Sequence, residues 1–523
     1  MAHIDEPAPC LPSANTRSSE RDPCNPSDQV SHRRKQRNTT HIFTFIISLP
    51  IPYTTHPMAR RDHWRGPGSR RGRGGRAGHE HRPDTSLYSH PNMVELPPLS
   101  VSQQLLERIP LSDAAHLKTG KKAKIEDLEY VASYNWKEGG KDPTIIVPGR
   151  PPRWQPTRSS QTLQEDSGVY YRDVNGAHFS SYPVEPALRA ILVQRPDITV
   201  SDIQIFGCGN TFGSLLSFVR NEERTFRFGV EQVGPSLFFV RKTNTPRETL
   251  DDVRGFGHAF PDANTIWEKD VTTTSSHQRV ISYTFAGLKC FIRSESDGYL
   301  PNKAGAVAAS DSDTRDDLGS TNPSRMGALS LGLTSSPTSR NLVVEKAGRF
   351  VPQAAMFDLK TRTIKKKTDH ISADDFLHRL WVNQTPNFII AFHTHGTFDP
   401  NDVHVIDAGS GIHKWESDHA HELANLGGVL HKLKDLARTV KDNKFEVRRS
   451  VNGPLEIFSE VQSFSALPGD LRKLWDSAGE EFVDAVEQRG GANDHSDDQN
   501  GGTPNDVGSE SDSDEGDEDY LKF

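Results

Sequence analysis

The sequence predicts an α+β fold, close to the α/β type, with a mixed central β-sheet flanked by helices and long disordered termini. Short apolar runs typical of strands alternate with stretches of helical periodicity between about residues 120 and 480. Hydrophobic residues make up only 34% of the 523 residues, and their deficit falls at both ends and in one internal stretch. We therefore expect one large folded domain with disordered attachments.

Composition divides the chain into a basic arm, a folded domain and an acidic tail. Residues 1–95 are rich in Pro, Ser, Arg and Gly, and residues 488–523 contain the run SESDSDEGDED. Neither has enough apolar residues to form a core. Residues 120–480 are expected to form a single domain, interrupted at 301–340 by a polar stretch that we interpret as a disordered insertion.

Arginines separated by glycines follow Trp64 in the basic arm. Such RGG-like segments bind RNA through charge and guanidinium stacking, so RNA is the expected partner. The alternative is a flexible solubilising arm. The candidate RNA contacts here are Arg70, Arg71, Arg73 and Arg76.

Cysteine usage and hydropathy predict an intracellular protein, nuclear or cytoplasmic and not secreted. The four cysteines show no C-x-x-C pair, which favours a reducing compartment. The basic cluster 33–37 is of the type found in nuclear import signals, although such clusters are common. The apolar run 42–53 is too short to span a membrane and lies too deep for a secretory signal, so no membrane association is expected.

The predicted elements follow from periodicity and turn residues. The pair of strands 280–285 and 288–294 is expected to form a hairpin at Ala286-Gly287. The other predicted strands are 144–147, 226–230, 236–242, 341–344, 354–359 and 387–393. Helices are predicted at 183–195, 212–219, 372–384 and 413–440, the third capped by Ser372 and burying Phe376, Leu377, Leu380 and Trp381, and the last weakened by Gly427-Gly428.

Two acidic strand ends carry the candidate chemistry. Asp358 and Lys360 alternate with Phe357 and Leu359, so the two charged side chains share one face of a strand. Carboxylates can hold Mg²⁺ or Mn²⁺, which polarises a phosphate and activates water. The expected ligands are Glu295, Asp297 and Asp358.

The remaining candidates would act on the phosphate. Lys360 would orient the water or stabilise the transition state, and Gln384 would hydrogen-bond the phosphate or the nucleophile. Asp358, Lys360 and Gln384 are thus the catalytic candidates, and Arg362 is a candidate nucleic-acid contact. The competing interpretation is that these are polar residues at element ends that simply meet water.

Three segments, GLKCFIRSESDGYL, AMFDLKTR and LWVNQTPNFIIAFHTHGTF, resemble successive motifs of the decapping exoribonuclease family, a branch of the PD-(D/E)XK nuclease superfamily. The resemblance covers about residues 183–410. It implies a nuclease-like domain with a metal-dependent hydrolase activity on RNA, with 5′ ends among its substrates. It also implies that Arg189 faces phosphate, although a surface salt bridge explains this arginine equally well.

Two departures from the family pattern bear on activity. Pro261 stands where the resemblance implies a further metal-binding Glu, with Asp262 or Asp251 as possible substitutes. Asp358 also replaces the usual Glu and is one methylene shorter. A catalytically inactive RNA-binding or scaffold protein is therefore the alternative function.

The chain also resembles a fungal set that is often labelled geranylgeranyl pyrophosphate synthetase. Prenyl synthases of that type hold diphosphate through Mg²⁺ on D-D-x-x-D motifs. Asp251-Asp252, Asp316-Asp317 and Asp374-Asp375 each lack the third aspartate. Prenyl diphosphate synthesis is thus a second alternative that the residues do not support.

Overall fold

The computed structural model describes residues 95–117, 119–250, 253–305, 341–367, 374–460 and 464–478, all within the compact unit His81–Phe523. The predicted basic arm (apart from Glu95), the insertion beyond residue 305 and the acidic tail lie outside the described residues. So do Arg70, Arg71, Arg73 and Arg76. Within the described part of the chain, no helix is long and apolar enough to cross a bilayer.

The predicted α+β class is confirmed, and the strands are divided between two mixed sheets. The described strands, in chain order, are β1 (Leu105–Ile109), β2 (Ile125–Lys137), β3 (Thr144–Gly149), β4 (Arg153–Trp154), β5 (Gln161–Thr162), β6 (Ile205–Cys208), β7 (Phe226–Val233), β8 (Ser236–Arg241), β9 (Thr265–Ile266), β10 (Thr274–Phe285), β11 (Leu288–Glu295), β12 (Gly298–Tyr299), β13 (Val343–Gly348), β14 (Met356–Thr363), β15 (Asn387–Thr394), β16 (Thr397–Asp407), β17 (Lys444–Arg449) and β18 (Leu455–Ser459).

The larger sheet has the strand order β1-β18-β17-β7-β8-β6-β11-β10-β2-β3-β13, and the smaller has β5-β16-β15-β14-β12-β4-β9. The larger sheet begins at Leu105, before the predicted domain start at 120, because β1 pairs with β18 near the other end of the domain. β6 runs parallel to β8 and β11, whereas most of the other pairs in this sheet are antiparallel.

Eight α-helices are described: α1 (Leu111–Ala114), α2 (Val174–His178), α3 (Glu185–Gln194), α4 (Gly209–Val219), α5 (Ala259–Asn264), α6 (Asp374–Asn383), α7 (Gly409–Asp418) and α8 (Ala420–Thr439). Residues 469–478 are also helical. A large apolar core joins residues of α4, α6, α7 and α8 to one face of the larger sheet and to β15 of the smaller sheet. A second core covers the other face of the larger sheet with α3.

The predicted hairpin and the buried face of α6 are confirmed. Ala286 and Gly287 both have positive φ, which closes a tight turn between β10 and β11. Leu377, Leu380 and Trp381 are buried, and Phe376 stacks on Phe388 of β15 at 4.3 Å. Helix α6 thus packs against β15, the strand beside β14. The predicted cap Ser372 lies outside the described residues.

The single helix predicted over 413–440 is wrong, because two helices meet at His419. Gly427-Gly428 does not mark the break but lies inside α8. A Cβ added at Gly428 would be 1.7 Å from the carbonyl oxygen of Leu117. Close packing against Leu117 therefore accounts for a glycine at position 428, and termination of the helix does not.

Candidate active site

The segment Glu295-Ser296-Asp297 carries the chain from the larger sheet to the smaller one. Glu295 is the last residue of β11 and pairs with Gln278 of β10, and the Ser296 amide donates to the His277 carbonyl at 3.0 Å. Gly298 then begins β12, with φ 157°. A Cβ at Gly298 would lie 2.6 Å from the Pro152 carbonyl oxygen. Glycine therefore allows the close approach that brings Asp297 beside β14.

The predicted alternation on β14 is confirmed. Phe357 and Leu359 are buried, whereas Asp358 is partly exposed and Lys360 is exposed. The backbone amide of Leu359 donates to Oδ2 of Asp297 at 2.6 Å. This bond joins the two acidic motifs that the sequence suggested were parts of one site.

Asp358 is paired with an arginine that sequence reasoning missed. The Arg379 guanidinium donates to Oδ1 of Asp358. Arg379 belongs to α6, on the side away from the buried face. The predicted helix already placed Arg379 on this side. The distance between Arg379 and Asp358, however, depends on how α6 packs beside β14. We call Asp297, Asp358, Lys360 and Arg379 the charged cluster.

The electrostatics of the charged cluster follow from crowding by protein atoms and from like charges. Desolvation and the negative charge of Asp358 raise the pKa of Asp297. Desolvation also raises the pKa of Asp358, although Arg379 and Lys360 oppose the rise. Desolvation, followed by repulsion from Arg379 and Arg362, lowers the pKa of Lys360. The two aspartates therefore repel each other, and a cation beside them is favourable.

Glu295 lies at the edge of a second group, which we call the polar network: Tyr134, Trp136, Asn175 and Gln278. Asn175 Oδ1 accepts from the Tyr134 hydroxyl at 2.5 Å and from Trp136 Nε1 at 3.0 Å. Asn175 Nδ2 donates to Gln278 Oε1 at 3.1 Å.

Glu295 itself is solvent-exposed, and crowding raises its pKa while Gln278 opposes the rise. The polar network thus supports the strand end that carries Glu295.

The structure gives Gln384 a local role at the end of α6. Its Nε2 donates to the Trp381 carbonyl at 2.6 Å, and its backbone carbonyl accepts from Gln353 at 2.9 Å. Its positive φ of 48° ends the helix. These contacts match the interpretation of Gln384 as a helix-terminal residue, and a contact with phosphate is not tested by them.

The two described arginines predicted to contact nucleic acid lie in different settings. Arg189 on α3 donates to Glu185 at 2.9 Å and to Asp470 at 2.6 Å, which ties α3 to the helix at 469–478. Arg362 lies on β14 two residues beyond Lys360 and influences its pKa. Of these two arginines, Arg362 is the one associated with the charged cluster.

The region around Pro261 does not supply an obvious extra ligand. Pro261 lies in α5, whose first amides are capped by Asp166 at 2.8 and 3.0 Å. Desolvation raises the pKa of Asp262, and the charged groups that also affect it are His258 and Asp166. Asp251 lies outside the described residues.

A divalent ion fits the chemistry of these donors. Mg²⁺ and Mn²⁺ prefer carboxylate oxygens, and Asp297 and Asp358 are held as close neighbours. In the described ranges, however, no three His, Cys, Asp or Glu side chains are arranged closely enough to hold a metal ion. A complete ligand set with Glu295 therefore requires side-chain movement, and Arg379 already engages Asp358.

The fold and the site together define a two-sheet α+β protein with a carboxylate–lysine cluster where its two sheets meet. The chain belongs to the family described as "Domain of unknown function (DUF8563)", which matches residues 115–475. No curated protein matches the chain in sequence.

Several crystal structures are similar to this chain. Rai1 of S. pombe in complex with 3′-FADP is 10% identical, with a TM-score of 0.46 over 68% of this chain and 100% of that one. Rai1 of Candida albicans in complex with pU5-Mn²⁺ is 13% identical, with a TM-score of 0.43 over 71% and 99%. Dxo1 of K. lactis in complex with manganese is 11% identical, with a TM-score of 0.40 over 70% and 100%.

Proposed function

We propose that this protein is a metal-dependent phosphodiester hydrolase that acts on RNA, at 5′ ends, and that it is a distant relative of the decapping exoribonucleases. The observation that carries the proposal is the junction of the two acidic motifs. The Leu359 amide holds Asp297 beside Asp358, and Lys360 follows on the same face of β14. Two carboxylates and an amine that converge from separate segments are the donor set of such a site.

In the proposed mechanism, Asp297 and Asp358 would hold Mg²⁺ or Mn²⁺, and Glu295 would complete the protein ligands. The ion, when bound, polarises the scissile phosphate and lowers the pKa of a water. Lys360 places its ammonium group next to the phosphate and stabilises the charge that develops there. Arg362 binds a neighbouring phosphate of the RNA, and Gln384 orients the attacking water once its bond to Trp381 is exchanged.

A second candidate function is RNA binding without cleavage. The observation that favours it is the ion pair between Arg379 and Asp358, which occupies a carboxylate that the metal needs. Pro261 in place of a further Glu points the same way. The RGG-like segment in the arm would serve either function.

Incubating the purified full-length chain with RNA labelled at either end, in Mg²⁺, Mn²⁺ or EDTA, separates the two functions. The hydrolase proposal expects metal-dependent cleavage that Lys360→Ala and Asp358→Ala abolish, with the 5′ label released first. RNA that is bound but stays intact in both metals supports the second candidate. Cleavage that survives both substitutions would contradict this assignment of the site.

A further inference from the structure

Arg379 is the one member of the charged cluster that the proposed mechanism does not use. Its side chain is 41% exposed, whereas the Asp358 side chain that it contacts is 14% exposed. The guanidinium therefore reaches from the solvent side of α6 to a carboxylate of β14. This contact therefore joins helix α6 to strand β14.

The contact also resolves an electrostatic problem of the site. Asp297 and Asp358 repel each other, because the Leu359 amide donates to Oδ2 of Asp297 and so holds that carboxylate beside Asp358. A cation beside the pair removes most of that cost. The Arg379 guanidinium donates to Oδ1 of Asp358, so it supplies charge that a divalent ion would otherwise supply.

Arg379 is itself repelled in this position. Lys360 and Arg362 follow Asp358 on the same face of β14, so the guanidinium that contacts Asp358 lies near two further cations. A phosphate group brought near these three cations would relieve the repulsion, and an arginine guanidinium binds phosphate oxygens with two parallel hydrogen bonds. Arg379 thus has two competing anionic partners, Asp358 and an incoming phosphate.

We propose that Arg379 acts as a built-in counter-cation of the metal site. Its guanidinium pairs with Asp358 when no RNA is bound and moves to a phosphate of the RNA when RNA binds. The inference rests on the proposed function in that it takes the metal and the RNA from it. RNA binding then frees Asp358 for the divalent ion, so the two ligands strengthen each other's binding. Arg379 is a positioning residue in this scheme, because it acts through Asp358.

The test is the affinity of the full-length chain for Mn²⁺, followed by electron paramagnetic resonance of the free ion, with and without a 5′-phosphorylated oligouridylate. The temperature is kept low, and gels verify that the RNA remains intact. Three proteins are compared: the unchanged chain, Arg379→Gln and the control Arg438→Gln. Arg438 is exposed on α8 and lies 3.6 Å from Asp435, three residues away.

Without RNA, Arg379→Gln is expected to bind Mn²⁺ about five- to tenfold more tightly than the unchanged chain, since it removes one competing ion pair. RNA should tighten Mn²⁺ binding to the unchanged chain and to Arg438→Gln, and much less to Arg379→Gln. Equal or weaker Mn²⁺ binding by Arg379→Gln overturns the inference, as does an equal effect of RNA on all three proteins.

The outcome is separable from that of the proposed function. An affinity shift without any RNA cleavage supports the counter-cation role and refutes the hydrolase. Cleavage without the shift refutes the counter-cation role alone. If none of the three proteins binds Mn²⁺, both are refuted.

Discussion

The polar network and the charged cluster lie at the two ends of the Glu295–Asp297 crossing, and they are built in opposite ways. The network is neutral, and Asn175 at its centre is 3% exposed with three side-chain partners. The cluster is ionic and open to solvent, with Lys360 exposed and Arg379 shared between α6 and β14. The difference indicates that the network fixes the crossing, whereas the side chains of the cluster are accessible to solvent.

The largest expected effect comes from the charged cluster. Asp297→Asn should lower RNA cleavage by about a thousandfold, since it removes one ligand charge of a metal worth several kcal/mol to the transition state. The free energy of unfolding should not fall, because the asparagine oxygen still accepts from Leu359 and the repulsion with Asp358 disappears. Cleavage assays and urea unfolding of the same preparation check both expectations; a destabilised variant would mean that Asp297 is structural.

A substitution in the polar network should lower the stability of the protein and leave cleavage almost unchanged. Asn175→Ala leaves the Tyr134 hydroxyl and the Trp136 indole without their buried acceptor, and should lower the free energy of unfolding by about 3 kcal/mol. Cleavage per folded molecule should change little. Asn401→Ala, at an exposed position of β16, is the control and should cost less than about 0.5 kcal/mol. Equal losses in the two variants would contradict the role given to the network.

A third prediction concerns pH and the strand beside the network. His277 is 1% exposed, with Nδ1 2.6 Å from Asn135 Oδ1, and burial holds its pKa well below the usual 6.5. Below about pH 6.5 the unfolded chain therefore binds a proton that the folded chain excludes, and this histidine lowers the free energy of unfolding by up to about 1.4 kcal/mol per pH unit.

The measurement is urea unfolding between pH 5 and 8. His277→Gln should lose stability less steeply on acidification than the unchanged chain, whatever its stability at pH 8. His421 is exposed, and His421→Gln serves as the control. Its free energy of unfolding should depend on pH as steeply as that of the unchanged chain. An unchanged slope in His277→Gln would show that the folded protein admits the proton.

The smallest expected effect is on RNA affinity. Arg362→Ala removes one proposed phosphate contact and should weaken RNA binding about threefold at moderate salt, with a shallower dependence on salt concentration. Arg438→Ala, on the exposed face of α8, should leave both quantities unchanged. Fluorescence anisotropy with labelled RNA over a salt series measures the affinity and its salt dependence. Identical values for the two variants would show that Arg362 does not contact the RNA.

The sequence allowed the strands around the site to be predicted because their signals are local. Alternation placed Asp358 and Lys360 on one face of β14, and the Ala286-Gly287 turn identified the hairpin that ends at Glu295. The contact between Arg379 and Asp358 was not predictable, because it depends on how α6 packs against β15. Gly427-Gly428 misled the prediction for α8 for the same reason, since their neighbours Ala286 and Leu117 are remote in sequence.

The polar network was missed because its members look like ordinary core or loop residues. Asn175 lies in a five-residue helix with no apolar period, and its partners come from β2 and β10. The division into two sheets also escaped prediction, since pairing between β1 and β18 or between β12 and β14 is set by long-range contacts.

The central claim is that the junction of Asp297 and Asp358 is a catalytic metal site, and the rate of a single turnover tests it most directly. The full-length chain in excess over 5′-labelled RNA, at saturating Mn²⁺, should cleave the RNA, and Asp358→Asn should do so about a thousandfold more slowly while binding RNA comparably. If the unchanged chain binds the RNA and leaves it intact, or if Asp358→Asn cleaves at the same rate, the claim is contradicted.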